Sequence, residues 1–351
     1  MTIFITNILK EVNKMKRIAH TNSTLPRWFG NPYGVRHPFW VIVQKEISDH
    51  LRSWRFIIML TLIILTGIGS IYTALTGMGN AIKSANGADT FFFLKLFTIS
   101  DGTMPSFFVF MGFLGPLLGI SLGFDAINSE QNRGTLSRML AQPIHRDYVI
   151  NAKFTGAILV ISAMFFALAF LVMGIGLITL GIPPNAEEFW RIIFFIILNI
   201  FYVAFWLNLS IFFSIRFRQP ATAALAGIAI WLFLTIFYPL IVNLIIRGLS
   251  PSNIEFASQQ RLIALNQLHT VLMRLLPNQL FSDATTTLLM PNIRSLGPLT
   301  QEQLYGAIPG PLPLSQSLLL VWTQLTGLVA ATITCFVLSY VSFMKKEIRS
   351  R

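Results

Sequence analysis

The sequence predicts an all-α, polytopic membrane protein with six transmembrane helices, an N-terminal interfacial elbow helix and a large outward loop before the last helix. Three observations carry this prediction. Of 351 residues, 54% are hydrophobic and 11% charged, with a mean hydropathy of +0.65, whereas about a quarter of residues are charged in soluble chains. Six apolar segments are each long enough, at about 1.5 Å rise per residue, to cross a hydrocarbon core about 30 Å thick. The acidic and basic residues gather between these segments. One charged stretch organises the others: DAINSEQNRGTLSRMLAQPIHRDYVINAK, from Asp125 to Lys153, holds Asp125, Glu130, Arg133, Arg138, Arg146, Asp147 and Lys153. At roughly 2.5 to 3.5 kcal/mol for each charge at a bilayer centre, together about 20 kcal/mol, it belongs in water or against protein.

Four regions follow in order. Residues 1–55 form a cytoplasmic tail and an interfacial helix. The short apolar patch at Ile3 to Leu9 precedes Lys10, Lys14, Lys16 and Arg17, the reverse of the order in a secretory signal. From Pro38, Trp40, Val43, Ile47, Leu51 and Trp54 recur at helical spacing with charges between them, which predicts an amphipathic helix lying in the membrane interface.

Residues 56–246 hold five spans: Phe56 to Leu75, Ser106 to Phe124, Thr155 to Leu180, Trp190 to Phe213 and Ala221 to Ile246, with the charged loop 125–154 between the second and third. The second carries Gly112, Gly115, Gly119 and Gly123. The last three, at four-residue spacing, leave one face without side chains, suited either to a dimer seam or to packing within the subunit. Pro116 and Pro239 are each expected to kink their helix.

Residues 247–316 form an extracytoplasmic loop. Within it, Phe256 to Leu276 is apolar, but Arg261 and Arg274 cost about 5 to 7 kcal/mol at mid-bilayer against about 4 to 5 gained. An amphipathic helix outside the bilayer is expected, ended by Pro277, and the prolines at 309, 311 and 313 stiffen the return. Residues 317–351 supply the sixth span, Ser317 to Val341, and a basic tail.

Lysine and arginine counts orient the chain. Nine up to Arg55, four in the charged loop, Arg216 and Arg218, and Lys345, Lys346, Arg349 and Arg351 fall on one side, and seven on the other. The positive-inside rule places both termini and the charged loop in the cytoplasm. The same rule accounts for the net charge of +12 without nucleic acid, since no basic run is interleaved with stacking aromatics.

Within the spans only Arg191, at one margin, is charged. Uncharged polar groups mark a candidate translocation path: Asn199, Tyr202 and Trp206 on the fourth span, Asn243 on the fifth, and Thr323, Gln324 and Thr326 on the sixth. Hydrogen bonding between helices is the alternative. The five histidines are scattered, the twelve methionines share no face, and Cys335 is the single cysteine, so neither a metal site nor a catalytic site is expected. No GxxxxGK[ST] occurs, so this chain is not expected to cradle ATP phosphates.

The charged loop, read as Asp125-x4-Glu130-x3-Gly134-Thr135-Leu136-x6-Pro143-x2-Arg146-x6-Lys153, resembles the signature loop of type-2 ATP-binding-cassette (ABC) exporter permeases. With the elbow helix, six spans, the outward loop and the stretch LLPNQLFSDATTTLLMP, the layout is most similar to the branch of nitrous-oxide-reductase maturation, sodium-export and antibiotic-export permeases. The resemblance implies a permease in the cell membrane of a prokaryote, working as a homodimer or with a paralogous permease on soluble ABC ATPase subunits. It also implies ATP and Mg bound by the partner and no cofactor on this chain.

Leu136, Met139 and Leu140 lie at i, i+3, i+4, giving a short helix an apolar face suited to a groove in such a partner. Gly134 and Thr135 begin that helix and Pro143 ends it, over Thr135 to Gln142. Glu130, Arg133 and Arg146 are expected to pair with one another or with the ATPase, and membrane lipids surround the spans. Aromatic, uncharged spans favour an amphiphilic substrate such as a peptide, drug or lipid. The rival reading is a membrane-bound enzyme or sensor acting through the outward loop, whose ionisable groups Glu255, His269, Asp283 and Glu302 are scattered.

Overall fold

A computed structural model describes residues 37–84, 91–100, 102–181, 183–250, 259–292 and 311–346. The tail expected over Met1 to Asn31, Glu255, Glu302, Pro309 and the basic residues beyond Lys346 lie outside the described residues. By its internal contacts the chain divides into Met1–Val41 and Ile42–Arg351. Of the first unit, residues 37–41 are described, opening a helix with Trp40 N–H bonded to His37 O at 2.9 Å.

Every regular element among the described residues is helical. They are α1 (Pro38–Leu51), α2 (Trp54–Ser84), α3 (Phe92–Thr98), α4 (Phe107–Gly123), α5 (Asn128–Asn132), α6 (Thr135–Leu140), α7 (Arg146–Leu180), α8 (Ala186–Arg216) and α9 (Pro220–Leu232). A π-helical turn, Phe233–Phe237, leads into α10 (Tyr238–Leu249), followed by α11 (Gln259–Met273), α12 (Pro277–Leu289) and α13 (Leu314–Lys345). Among the described residues, six helices are long and apolar enough to cross a membrane: α2, α4 with α5, α7, α8, α9 through α10, and α13. The protein is thus a six-span, all-α membrane protein, and the spans run longer than the apolar segments alone suggest. In particular, α7 begins at Arg146, so the last eight residues of the charged loop are its first two turns.

The helix α8 is the most buried span and touches α4, α7, α9, α12 and α13. The Glu188 carboxylate opens it by accepting the Asn185 N–H at 2.9 Å, half of a capping box. Its close fit to α4 explains the glycines. A Cβ on Gly119 would stand 2.7 Å from Val203 O and 2.9 Å from Leu207 N, and one on Gly123 2.8 Å from Leu207 O. Gly115 meets Val203 and Tyr202. Of the two alternatives for Gly115, Gly119 and Gly123, the structure shows packing within the subunit: close contact with α8 fills this face.

Of the two prolines, Pro116 lies inside α4, which runs on through it. Pro239 has a visible consequence. Without an N–H it cannot bond to the carbonyl of Thr235, and the turn before it widens, with Tyr238 N–H reaching back to Phe233 O.

The region expected as an outward loop is largely helical. The stretch around α11 is a helix as predicted, yet its apolar residues do not gather on one face, so the amphipathic stripe is absent. Pro277 both closes the turn after α11 and opens α12, a helix within the stretch expected as loop. The helix α12 packs against α4, α8 and α13 and buries Phe281, Ala284, Leu288 and Leu289. At the same end, Arg191 is fully buried. Its guanidinium donates to Leu288 O (3.0 Å), Leu312 O (2.6 Å), Ser317 Oγ (3.1 Å) and Glu187 Oε1 (2.8 Å), and Glu188 also receives the Phe93 N–H at 2.9 Å.

Candidate functional site

The charged loop folds as two short helices joined by a glycine corner. Gly134 has φ +69°, a left-handed backbone that suits glycine, and it turns the chain from α5 into α6. Thr135 Oγ1 donates to Glu130 O (3.2 Å) and Ser137 Oγ to Gly134 O (2.9 Å), satisfying carbonyls at the corner. The helix stops at Leu140, three residues before Pro143, close to the predicted extent.

Its orientation differs from the prediction. Leu136 is 1% exposed, and Met139 and Leu140 pack with it on the hydrophobic core of the chain's own bundle. The apolar face is therefore used internally. What α6 and its flanks present outward is Arg133, Thr135, Arg138, Gln142 and Pro143, all exposed. The physical reason is simple: a six-residue helix has one apolar face, and the bundle beneath it supplies enough carbon surface to bury it.

The charges are also placed differently. Glu130 does not meet Arg133 or Arg146. Its Oε1 lies 2.9 Å from both Lys45 Nζ and Lys153 Nζ. Glu46, on α1, completes the cluster, 3.0 Å from the same two ammonium groups. Lys153 is 3% and Glu46 5% exposed. Two acids and two bases thus bind α1, the loop and the base of α7 into one unit. A second pair, Arg55 Nη2 to Asp125 Oδ2 at 2.6 Å, ties the start of α2 to the end of α4, with the Arg55 guanidinium over the Phe124 ring.

Burial alone would push the Glu46 carboxyl up, but Lys153 and Lys45 outweigh it and hold it below the ordinary glutamate range. Burial likewise opposes the charge on Lys45, and Glu46 and Glu130 reverse this, raising it above the ordinary lysine range. His50 beside them is held down mainly by burial. These side chains, with Asp49, Ser53, Ser129, Arg133 and Thr135, line a cavity of about 450 Å³.

The loop is pinned to α8 as well. Ser214 Oγ accepts the N–H groups of Ile127 (2.9 Å) and Asn128 (3.2 Å), and Asn132 Nδ2 donates to Arg218 O at 2.9 Å. Arg146 faces inward to the last span, donating to Phe343 O at 2.7 Å and to Lys346 O, with its guanidinium over the Phe343 ring. Sequence reasoning missed Lys45, Glu46 and Ser214. The one available signal was that Lys45 and Glu46 sit on the charged face of a helix predicted to lie in the membrane interface on the same side as the loop.

Four residues of the candidate translocation path lie inside the subunit, whereas Asn243, Thr323 and Thr326 are exposed. Asn199, Tyr202, Trp206 and Gln324 are all buried. The Gln324 amide meets its neighbour Thr323 at 2.8 Å, and the Trp206 N–H and Asn199 Oδ1 have no hydrogen-bond partner among the described residues.

Tyr202 is the informative member. Its hydroxyl lies 2.7 Å from Asn278 Oδ1 and 3.0 Å from Gly112 O, with one proton for either, and its ring stacks on Phe281 at 4.3 Å. Asn278 in turn donates to Thr235 Oγ1 at 2.5 Å, inside the π-helical turn. Tyr238 donates to Leu272 O at 3.0 Å and Asn243 meets His269 at 3.2 Å, so α10 and α11 are tied to each other. Asp283 lies against Gln279 (2.6 Å) and Arg274 (3.7 Å), and burial pushes its carboxyl up. His269 and Asp283 thus have separate partners.

Residues 40–348 match the family model described as ABC-2 family transporter protein. Among curated proteins, the chain is 27% identical over 210 residues to a probable ABC transporter permease protein NosY of Stutzerimonas stutzeri, covering 58% of this chain and 68% of that one. It is 28% identical over 210 residues to a protein of the same description from Pseudomonas aeruginosa, covering 57% and 68%.

Proposed function

This chain belongs to the ABC-2 family of transporter proteins and is a membrane-spanning permease subunit; from that premise we propose that it exports an amphiphilic substrate by coupling the loop from Asp125 to Lys153 to ATP hydrolysis in a separate ATPase subunit. The family implies the ATPase partner. Export, the kind of substrate, a second permease copy and cytoplasmic termini are the reading advanced here, the last from the lysine and arginine count.

The observation that carries it is the double engagement of the loop. Its polar rim, Arg133, Thr135, Arg138 and Gln142, is exposed and open to a partner. Glu130, a few residues earlier, is locked to both α1 and α7. A push on α6 therefore reaches the elbow helix and the third span through short ionic contacts.

An amphiphilic cargo is supported by a groove of about 630 Å³ between α1, α2 and α7. Ile47, Leu51, Phe56, Leu60 and Leu168 are among the apolar side chains that line it, on another face of the elbow helix from the charged cavity. At the far end, the Tyr202–Asn278–Thr235 chain is the element suited to gate release.

The test follows from the exposed rim. Arg138→Glu is expected to leave the permease inserted and folded while reducing copurification with its ATPase and the ATPase rate of the complex by tenfold or so, the effect of about 1.4 kcal/mol at an interface contact. Retention of both would remove the loop from the coupling role. Leu136→Asp is a poor probe, because it buries a carboxylate in the permease's own core.

A further inference from the structure

The loop end of the bundle carries a second charged feature that the coupling reading does not use. Arg216 closes α8, Arg218 follows it before Pro220, and Lys345 and Lys346 close α13. Arg146 is held on the same chain end by the carbonyls of Phe343 and Lys346. The Lys346 ammonium is anchored on Ile215 O at 2.6 Å, which brings it beside α8. Five cations from three spans converge.

None of them forms an ion pair among the described residues, although every cation of the Lys45–Lys153 cluster does. Arg216, Arg218 and Lys345 are exposed. Burial, and after it the neighbouring Arg218 and Arg216, hold the Lys346 ammonium below the ordinary lysine range. The dipole of α8 favours one cation in its last turn, but it does not account for Arg218 or the two lysines. On α13, Val341 and Met344 are exposed apolar side chains within a turn of Lys345. Cations beside an exposed apolar helix face at a span's end match a lipid with an anionic head and acyl tails.

We propose that Arg216, Arg218, Lys345 and Lys346 form a binding site for the headgroup phosphate of an anionic phospholipid, whose acyl chains lie along Val341 and Met344 of α13. The site adjoins the coupling loop directly, since Asn132 of α5 holds the Arg218 carbonyl. A bound lipid would therefore stiffen the backbone on which the loop is anchored. The site requires only that the chain spans a membrane and does not depend on the transport direction or the ATPase contact.

The experiment uses the full chain in phosphatidylcholine vesicles with and without phosphatidylglycerol, reading retention of the anionic lipid by the purified protein. Wild type is expected to retain phosphatidylglycerol over phosphatidylcholine. Arg216→Gln with Arg218→Gln is expected to weaken retention about fivefold for each cation removed, while Arg247→Gln, at the other end of the bundle, leaves it unchanged. Equal retention by wild type and the double variant overturns the site. Displacement by inorganic phosphate at low millimolar level would make it a free-anion site instead. Unchanged lipid retention with loss of the copurifying ATPase would make it a protein contact. If the double variant does not insert, each single variant carries the test with half the expected effect.

Discussion

Lys153 shows how one side chain can join three elements. It is buried, and both of its carboxylate partners, Glu46 and Glu130, come from elsewhere in the chain. Removing only one partner of a buried ionic cluster strands the others, which costs about 3 to 5 kcal/mol, whereas replacing a pair by apolar groups of like size is close to neutral. Lys153→Met is therefore expected to lower the melting temperature of the detergent-purified permease and to uncouple ATP hydrolysis from transport. Lys153→Met with Glu46→Met should recover most of the stability but not the coupling. Equal losses in the single and double variants would show that the cluster does not act as a unit. That Glu130 would find Lys45, 85 positions earlier, was not legible. Side-chain types give the sign of a partner, and only the fold gives its address.

At the scale of elements, the π-helical turn at Phe233–Phe237 divides the fifth span, and such turns often mark functional positions. Asn278 of α12 bridges this turn to Tyr202 on α8. Asn278→Ala removes both hydrogen bonds and should free α10 and α11 to move together about the turn, because Tyr238–Leu272 and Asn243–His269 still join them. Faster hydrogen exchange is expected across Tyr238–Met273, with α8 unchanged. Exchange confined to α12 would refute the hinge. The helix α12 itself escaped sequence reading for a physical reason. PNQLFSDATTTLL is rich in Asn, Gln, Ser, Asp and Thr, which usually signals a loop. Here Gln279 bonds to Asp283, and Thr287 Oγ1 donates to Asp283 O at 2.9 Å, so some of the polar groups find partners within the helix, and Phe281 and Leu288 are left to bind it to the bundle. By contrast, α6 was legible from Gly134, Thr135 and Pro143, since corners and stops are local properties of the chain. Its facing was not, because Leu136 is equally apolar whichever surface it meets.

Across the whole molecule, the six spans were readable because hydrocarbon imposes a length and a composition on each of them separately. The organisation around α8 was not, for it rests on contacts between distant segments. Gly119 and Gly123 announce a close helix approach but do not name the partner. Arg191 looked like a marginal charge and is instead a fastening point. Its acceptors at Leu288, Leu312 and Ser317 lie 97, 121 and 126 positions further along. A ribosome therefore delivers the fourth span with Glu187 as its one early partner, well before the carbonyls and hydroxyl that complete the guanidinium's shell exist, and through that interval Nη1 must keep water or lipid phosphate as company. The end of the fourth span that carries Arg191 is thus committed only when the sixth emerges. Nascent chains stalled before Leu312 should show a cysteine in place of Ile192, beside Arg191 and buried in the finished fold, open to a membrane-impermeant thiol reagent, and completed chains should show it closed. Accessibility that does not change with chain length would mean the span settles without its late partners. The same dependence makes the last helix a checkpoint in biogenesis: a chain truncated ahead of it keeps the Arg191–Glu187 pair but leaves guanidinium donors unfilled inside the bundle.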